Sequence, residues 1–220
     1  MLFPESLAQK IGAAGVIAVA VVEKLADARP MAEALLEGGV GILELTLRTP
    51  VALEALEVIV GQVPAMLTGA GTVLSPAQVA EVRARGAAFG VAPGTNRRVL
   101  EAAGECGLPF APGVMTPSDI EAALECGALL LKYFPAESAG GVAHLRAIAT
   151  PYAALGPKFI PLGGIGPETM GVYLREPIVS AVGGSWLTPR SALAARDWKR
   201  ITRLAADACQ SVAKVRAAAV

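Results

Sequence analysis

The sequence predicts a (β/α)8 TIM barrel with an extra N-terminal helix, and three observations predict it. Short apolar runs alternate with Ala/Glu/Arg-rich amphipathic stretches along almost the whole chain. Eight such runs occur, each followed by a helical stretch. Repeat units of roughly 20–25 residues are the signature of βα units on a parallel sheet. Eight is also the number that closes such a sheet on itself. The length of 220 residues suits one barrel domain covering 1–220. A doubly wound open sheet built from the same units is the alternative architecture.

Taken in order, the segment 1–14 reads as a helix outside the repeat, placed to cover the bottom of the barrel. The strands follow as VIAVAVV (16–22), ILELTLR (42–48), AMLTGAG (65–71) and AFGVAP (88–93). PFAPG (109–113), LLLKYFP (129–135), KFIPLGG (158–164) and VSAVGGS (179–185) complete the eight. Helices are expected at 27–38, 50–60, 75–86, 95–104, 116–126, 140–150 and 167–175, with a long last one over about 191–217. Ser75-Pro76 and Thr116-Pro117 each place a capping side chain before a proline at the first helical position. Gly86, Gly107 and Gly127 stand where helices should stop.

Composition narrows the function classes. Hydrophobic residues make up 54% of the chain and aromatics only 5%, so a large core must be built from Ala, Leu, Val and Ile. Lys plus Arg and Asp plus Glu balance at 19 each, which argues against broad attraction to nucleic acid or membranes. Three cysteines without a CxxC pair read as buried or incidental thiols of a reducing cytosol. A single histidine and no Cys/His ligand spacing give no metal signature. MLFPESLAQK has no basic segment leading into a long apolar run, and GVIAVAVV (15–22) is too short to span a bilayer. A cytoplasmic protein is expected.

Chemistry enters with the polar residues inside apolar strands. In ILELTLR, alternation puts Glu44, Thr46 and Arg48 on one face and Leu43, Leu45 and Leu47 on the other. The leucines suit packing against helices, so the polar set points inward. Charges there are expensive unless paired or used. A buried structural ion pair is the bland reading. In LLLKYFP, Leu130, Lys132 and Phe134 share a face, so Lys132 points toward the lumen that holds Glu44. The bland reading of Lys132 is a side chain that snorkels to the rim. Gly163-Gly164 ends the seventh strand and Gly183-Gly184-Ser185 the eighth, the usual place of a phosphate site in this architecture. Thr72 and Pro93 reach the rim from the third and fourth strands. Trp186 and Trp198 read as core and helix packing, and His144 as a surface or capping residue.

These residues lie in motifs: LELTLRTP (43–50), GAGTVL (69–74), APGTN (92–96), FAPGVMTPSDI (110–120), LLKYFPAE (130–137), PLGGI (161–165) and VGGSW (182–186). In that order they resemble the KDPG/KHG aldolases. Those class I lyases split 2-keto-3-deoxy-6-phosphogluconate (KDPG) into pyruvate and glyceraldehyde 3-phosphate. The resemblance implies a trimeric barrel that acts on a small 2-keto acid and needs no metal or organic cofactor. It makes Lys132 the Schiff-base lysine and Glu44 the general acid/base. It makes Arg48 and Thr72 ligands of the pyruvate carboxylate end, and Pro93 and Phe134 wall residues. Gly163, Gly164, Gly184 and Ser185 become the phosphate cradle.

Much of the KDPG branch reads PTGG where this chain reads PLGG, so Leu162 removes a hydroxyl that could touch the sugar. The galactonate epimer or 4-hydroxy-2-oxoglutarate is therefore an alternative substrate. An amine in an apolar setting, beside a cation such as Arg48, is expected to act as a neutral nucleophile. A non-catalytic phosphate-binding barrel and a metal-dependent lyase are the rivals from other classes. The first has no need of a buried lysine opposite a glutamate, and for the second Glu44 alone is a poor site.

Overall fold

A computed structural model describes residues 2–218. Met1, at the head of the expected leading helix, and the last two residues of the expected 1–220 domain lie outside them. The chain forms an α/β structure whose strands are all parallel. Helix α1 (Glu5–Ala14) precedes β1 (Val16–Ala20), then come α2 (Ala28–Glu37), β2 (Ile42–Thr46), α3 (Ala52–Gln62), β3 (Leu67–Gly71) and α4 (Pro76–Ala84). The order continues with β4 (Gly90–Val91), α5 (Arg97–Cys106), β5 (Phe110–Ala111), β6 (Gly113–Val114) and α6 (Pro117–Glu125). It ends with β7 (Leu130–Tyr133), α7 (Gly141–Ala149), β8 (Lys158–Pro161), α8 (Met170–Leu174), β9 (Val182–Gly184), α9 (Arg190–Ala195) and α10 (Trp198–Ala217).

The ladders form two sheets, β5-β4-β3-β2-β1-β9 and β6-β7-β8. The fifth expected strand, 109–113, is thus divided between them at Pro112. Proline has no N–H to give a ladder, yet its carbonyl accepts the Lys132 amide at 2.8 Å. At the other junction, single bridges join Phe159 to Val179 and Leu162 to Gly183.

Side-chain alternation along the curled sheet separates two cores. Leu43, Leu45, Leu131 and Tyr133 pack outward with the helices. Ile17, Val19, Ile42, Phe89, Val91, Leu130, Ile160 and Leu162 cluster on the inner side. Phe3 and Ile11 enter that inner cluster, so α1 and the residues before it fill one end, as the sequence predicts.

The expected capping devices are in place. Ser75 Oγ accepts the Gln78 amide, and Thr116 with Asp119 forms a reciprocal capping box. Gly86, Gly107 and Gly127 all take positive φ after their helices. Two helices depart from expectation. The 167–175 segment is helical only over the five residues of α8. The last helix is broken rather than continuous. Arg196 turns into the left-handed region at φ 53°, and Asp197 accepts the Arg200 amide to start α10. A tertiary contact stabilises the break: Arg196 Nε donates to Asp27 Oδ1 at 2.8 Å. No described helix is long and apolar enough to cross a membrane. The three cysteines are free and half-buried.

Candidate active site

Two short strands carry the charged residues inward. β2 is buried along its whole length, with its leucines against helices and Glu44 on the inner side. β7 does the same with Lys132, between the outward Leu131 and Tyr133. The Lys132 ammonium donates to Glu44 Oε1 at 2.9 Å and to Oε2 at 3.2 Å. Lys132 is 6% exposed and Glu44 3%. Removing two charges from water costs several kcal/mol per ion, so each depends on the other to stay there. The Phe134 ring lies 5.3 Å from the nitrogen, on the same face of the strand. Room for the carboxylate comes from Gly71, where a Cβ would stand 2.2 Å from Glu44 Oε1.

The pair marks a floor. Beneath it the inner core leaves a void of only about 10 Å³, at the lower limit for one water. Above it opens a cavity of about 840 Å³, within the size range of small-ligand sites. Arg48, Thr72, Pro93, Phe134, Gly163, Gly164, Gly184 and Ser185 all line this cavity with Glu44 and Lys132. All ten residues that the resemblance assigns to the site therefore line one space. Thr72 takes φ 61°, rare for a residue with a branched Cβ. Ladder-like bonds pin its neighbours, Leu47 N–H to the Gly71 carbonyl and Val73 N–H to the Val91 carbonyl. Strain of this kind persists where the surroundings fix it. Hydroxyls tie the rim to the end of β1: Thr46 Oγ1 donates to the Ala20 carbonyl and Thr188 Oγ1 to that of Val19, each at 3.0 Å.

Several placements differ from the sequence reading. β2 ends at Thr46, so Arg48 lies past the strand and is exposed at the mouth. The carboxylate of Glu44 is paired with Lys132 rather than with Arg48. Trp186 is half-buried and lines the cavity, so it is more than core. Its ring occupies the space where a Cβ on Gly184 would stand. His144, read from the sequence as a surface or capping residue, is half-buried near the start of its helix. It lies within α7, with Nδ1 3.1 Å from the Ala139 carbonyl and a buried Nε2 that has no partner among the described residues.

Thr188 and Arg190 also line the cavity and were not anticipated. A signal for Arg190 exists. Pro189 marks a helix start, and a first turn favours carboxylates over cations.

In the core shared with the helices, Tyr173 donates to Glu137 Oε1 at 2.5 Å and Tyr133 to the Gly141 carbonyl at 3.3 Å. Burial first, and Glu137 second, push both phenols above their ordinary range, so they remain neutral donors. Among the described residues no three His, Cys, Asp or Glu side chains gather as a metal-ligand group.

A family model described as KDPG and KHG aldolase matches residues 7–204. The KHG/KDPG aldolase of Escherichia coli (strain K12) is 46% identical over 195 residues, covering 89% of this chain and 91% of that protein. Among solved structures, the KDPG aldolase of Legionella pneumophila, with pyruvate captured at low pH as a covalent carbinolamine, superposes with TM-score 0.86. It is 42% identical over 90% of this chain and 96% of its own. The aldolase of Zymomonas mobilis ZM4 with 3-phosphoglycerate gives TM-score 0.86 at 38% identity, over 93% and 94% of the two chains.

Proposed function

The chain belongs to the KDPG and KHG aldolase family, and from that premise we propose how its cavity works as the site of a class I aldolase. The enzyme cleaves 2-keto-3-deoxy-6-phosphogluconate into pyruvate and glyceraldehyde 3-phosphate. The observation that carries the reading is the buried Lys132–Glu44 contact at 2.9 Å, facing a cavity of about 840 Å³.

Lys132 passes a proton to Glu44 and its amine attacks the C2 carbonyl, giving a carbinolamine. Glu44 returns that proton to the carbinolamine hydroxyl, and loss of water gives the iminium, leaving Glu44 as the carboxylate. Glu44, directly or through a water, removes the C4 hydroxyl proton. The C3–C4 bond breaks, its electron pair moving toward the iminium nitrogen, and the aldehyde leaves. The remaining enamine takes a proton at C3, and water then frees pyruvate from Lys132. Arg48 and Thr72 hold the carboxylate end, Pro93 and Phe134 wall the reacting carbons, and Gly163, Gly164, Gly184 and Ser185 receive the phosphate. Leu162, buried in the wall against Gly183, gives no hydroxyl to the sugar chain. That favours testing the galactonate epimer and 4-hydroxy-2-oxoglutarate beside KDPG.

In the same reading the two sheets are one (β/α)8 barrel. Its supports are the bridge between Leu162 and Gly183 and the single residue, Pro112, that separates β5 from β6. The chain acts as one domain, as a homotrimer in the cytoplasm, without nucleic acid, membrane or cofactor. The test is borohydride reduction in the presence of pyruvate, read by intact mass. One reduced pyruvate is expected on the wild-type chain and none on Lys132→Met. Labelling that survives Lys132→Met moves the imine elsewhere.

A further inference from the structure

Arg190 opens α9, five residues beyond Ser185, and lines the main cavity together with the glycines after β8 and β9. It also lines two adjoining spaces at the mouth, of about 400 and 270 Å³. The larger of these it shares with Arg48 and Glu23. Its side chain is 83% exposed, and a terminal guanidinium nitrogen rests 3.6 Å from Glu23 Oε1, itself on a side chain 66% exposed. A pair so long and so wet holds its partners weakly. The guanidinium is thus an exposed, weakly held cation on the lip, between Glu23 and the glycine-lined wall. Its planar fork suits a phosphate, to which it can donate two parallel hydrogen bonds.

We propose that Arg190 is a specificity-determining residue, which leaves Glu23 to clamp the phosphate end of the aldol substrate and sets the preference for phosphorylated over non-phosphorylated 2-keto-3-deoxy acids. The proposal rests on the aldolase reading and deepens it. Backbone N–H groups recognise any anion of suitable size, whereas a guanidinium adds a charge-dependent attraction that a neutral hydroxyl end cannot use. Glu23 competes for the same guanidinium, so its removal should release Arg190 to the substrate.

The experiment compares kcat/KM for 2-keto-3-deoxy-6-phosphogluconate and for its non-phosphorylated analogue in wild type, Arg190→Gln and Glu23→Gln, at low and high salt. Arg190→Gln is expected to cut the ratio of the two substrates about tenfold or more, through KM of the phosphorylated one. The loss should shrink at high salt. Glu23→Gln is expected to lower that KM. A ratio that Arg190→Gln leaves unmoved, or a loss shared equally by both substrates, overturns the proposal. Borohydride trapping of pyruvate on the wild-type chain needs no phosphate. Its failure would count against the aldolase reading, and its success beside an unmoved ratio would count against Arg190 alone.

Discussion

Replacing Glu44 with glutamine preserves size and hydrogen-bonding reach beside Lys132 but removes the proposed base. Turnover should fall about 10²- to 10⁴-fold, while the imine with pyruvate remains trappable by borohydride. Unchanged turnover would take Glu44 out of the mechanism. Gly71→Ala tests the same carboxylate from its neighbour. The intruding methyl would meet the Glu44 side chain rather than backbone, so the fold should survive and the carboxylate should move. A shift of about 1 Å in a catalytic group can cost on the order of 100-fold. The expected result is a large loss of kcat with an unaltered far-UV circular dichroism spectrum. Lys132 and Glu44 were legible in the sequence because a charge in an apolar strand breaks a local pattern. The contribution of Gly71 was not, because it exists only where β3 runs beside β2.

Elements are held to one another by contacts that titrate. Arg146 of α7 donates through Nε at 2.7 Å and through a terminal nitrogen at 2.5 Å to the two oxygens of Glu176, just past α8. Those bonds hold the Glu176 carboxyl below its ordinary value, against the opposing effect of burial. A carboxyl lower in the folded chain than in the unfolded one contributes stability that is complete above about pH 4.3 and disappears as pH falls through the folded value. Glu176→Gln should therefore unfold more readily than wild type in urea at pH 7, and the gap should close as the acid range is entered. A gap of constant size down to pH 3 would assign the effect to packing. Helix starts such as Ser75-Pro76 and Thr116-Pro117 were readable because a cap is made by residues three apart. The break between α9 and α10 was not, because the partner of Arg196 is Asp27, 169 positions away.

At the scale of the molecule, α10 returns to pack across α2. Gly38, after α2, permits the approach. A Cβ there would stand 2.4 Å from the Thr202 carbonyl and 2.5 Å from the Ala205 Cβ. Backbone cannot yield as a side chain does, and overpacking of this kind costs about 1–3 kcal/mol. Gly38→Ala should lower the melting temperature while kcat of the folded fraction at 25 °C stays near wild type. The alternation of strands and helices made the α/β class readable from the sequence. The division of the ladders at Pro112 was not, since pairing is a relation between segments far apart in the chain. That division gives the ion pair a second meaning. Glu44 stands on the six-stranded sheet and Lys132 on the three-stranded one, so the contact is a rivet between two plates. A leucine facing a methionine would fasten them with less desolvation penalty and be inert. In the proposed mechanism each turnover must draw the rivet, because the nitrogen assigned to bond substrate carbon is the one that holds Glu44.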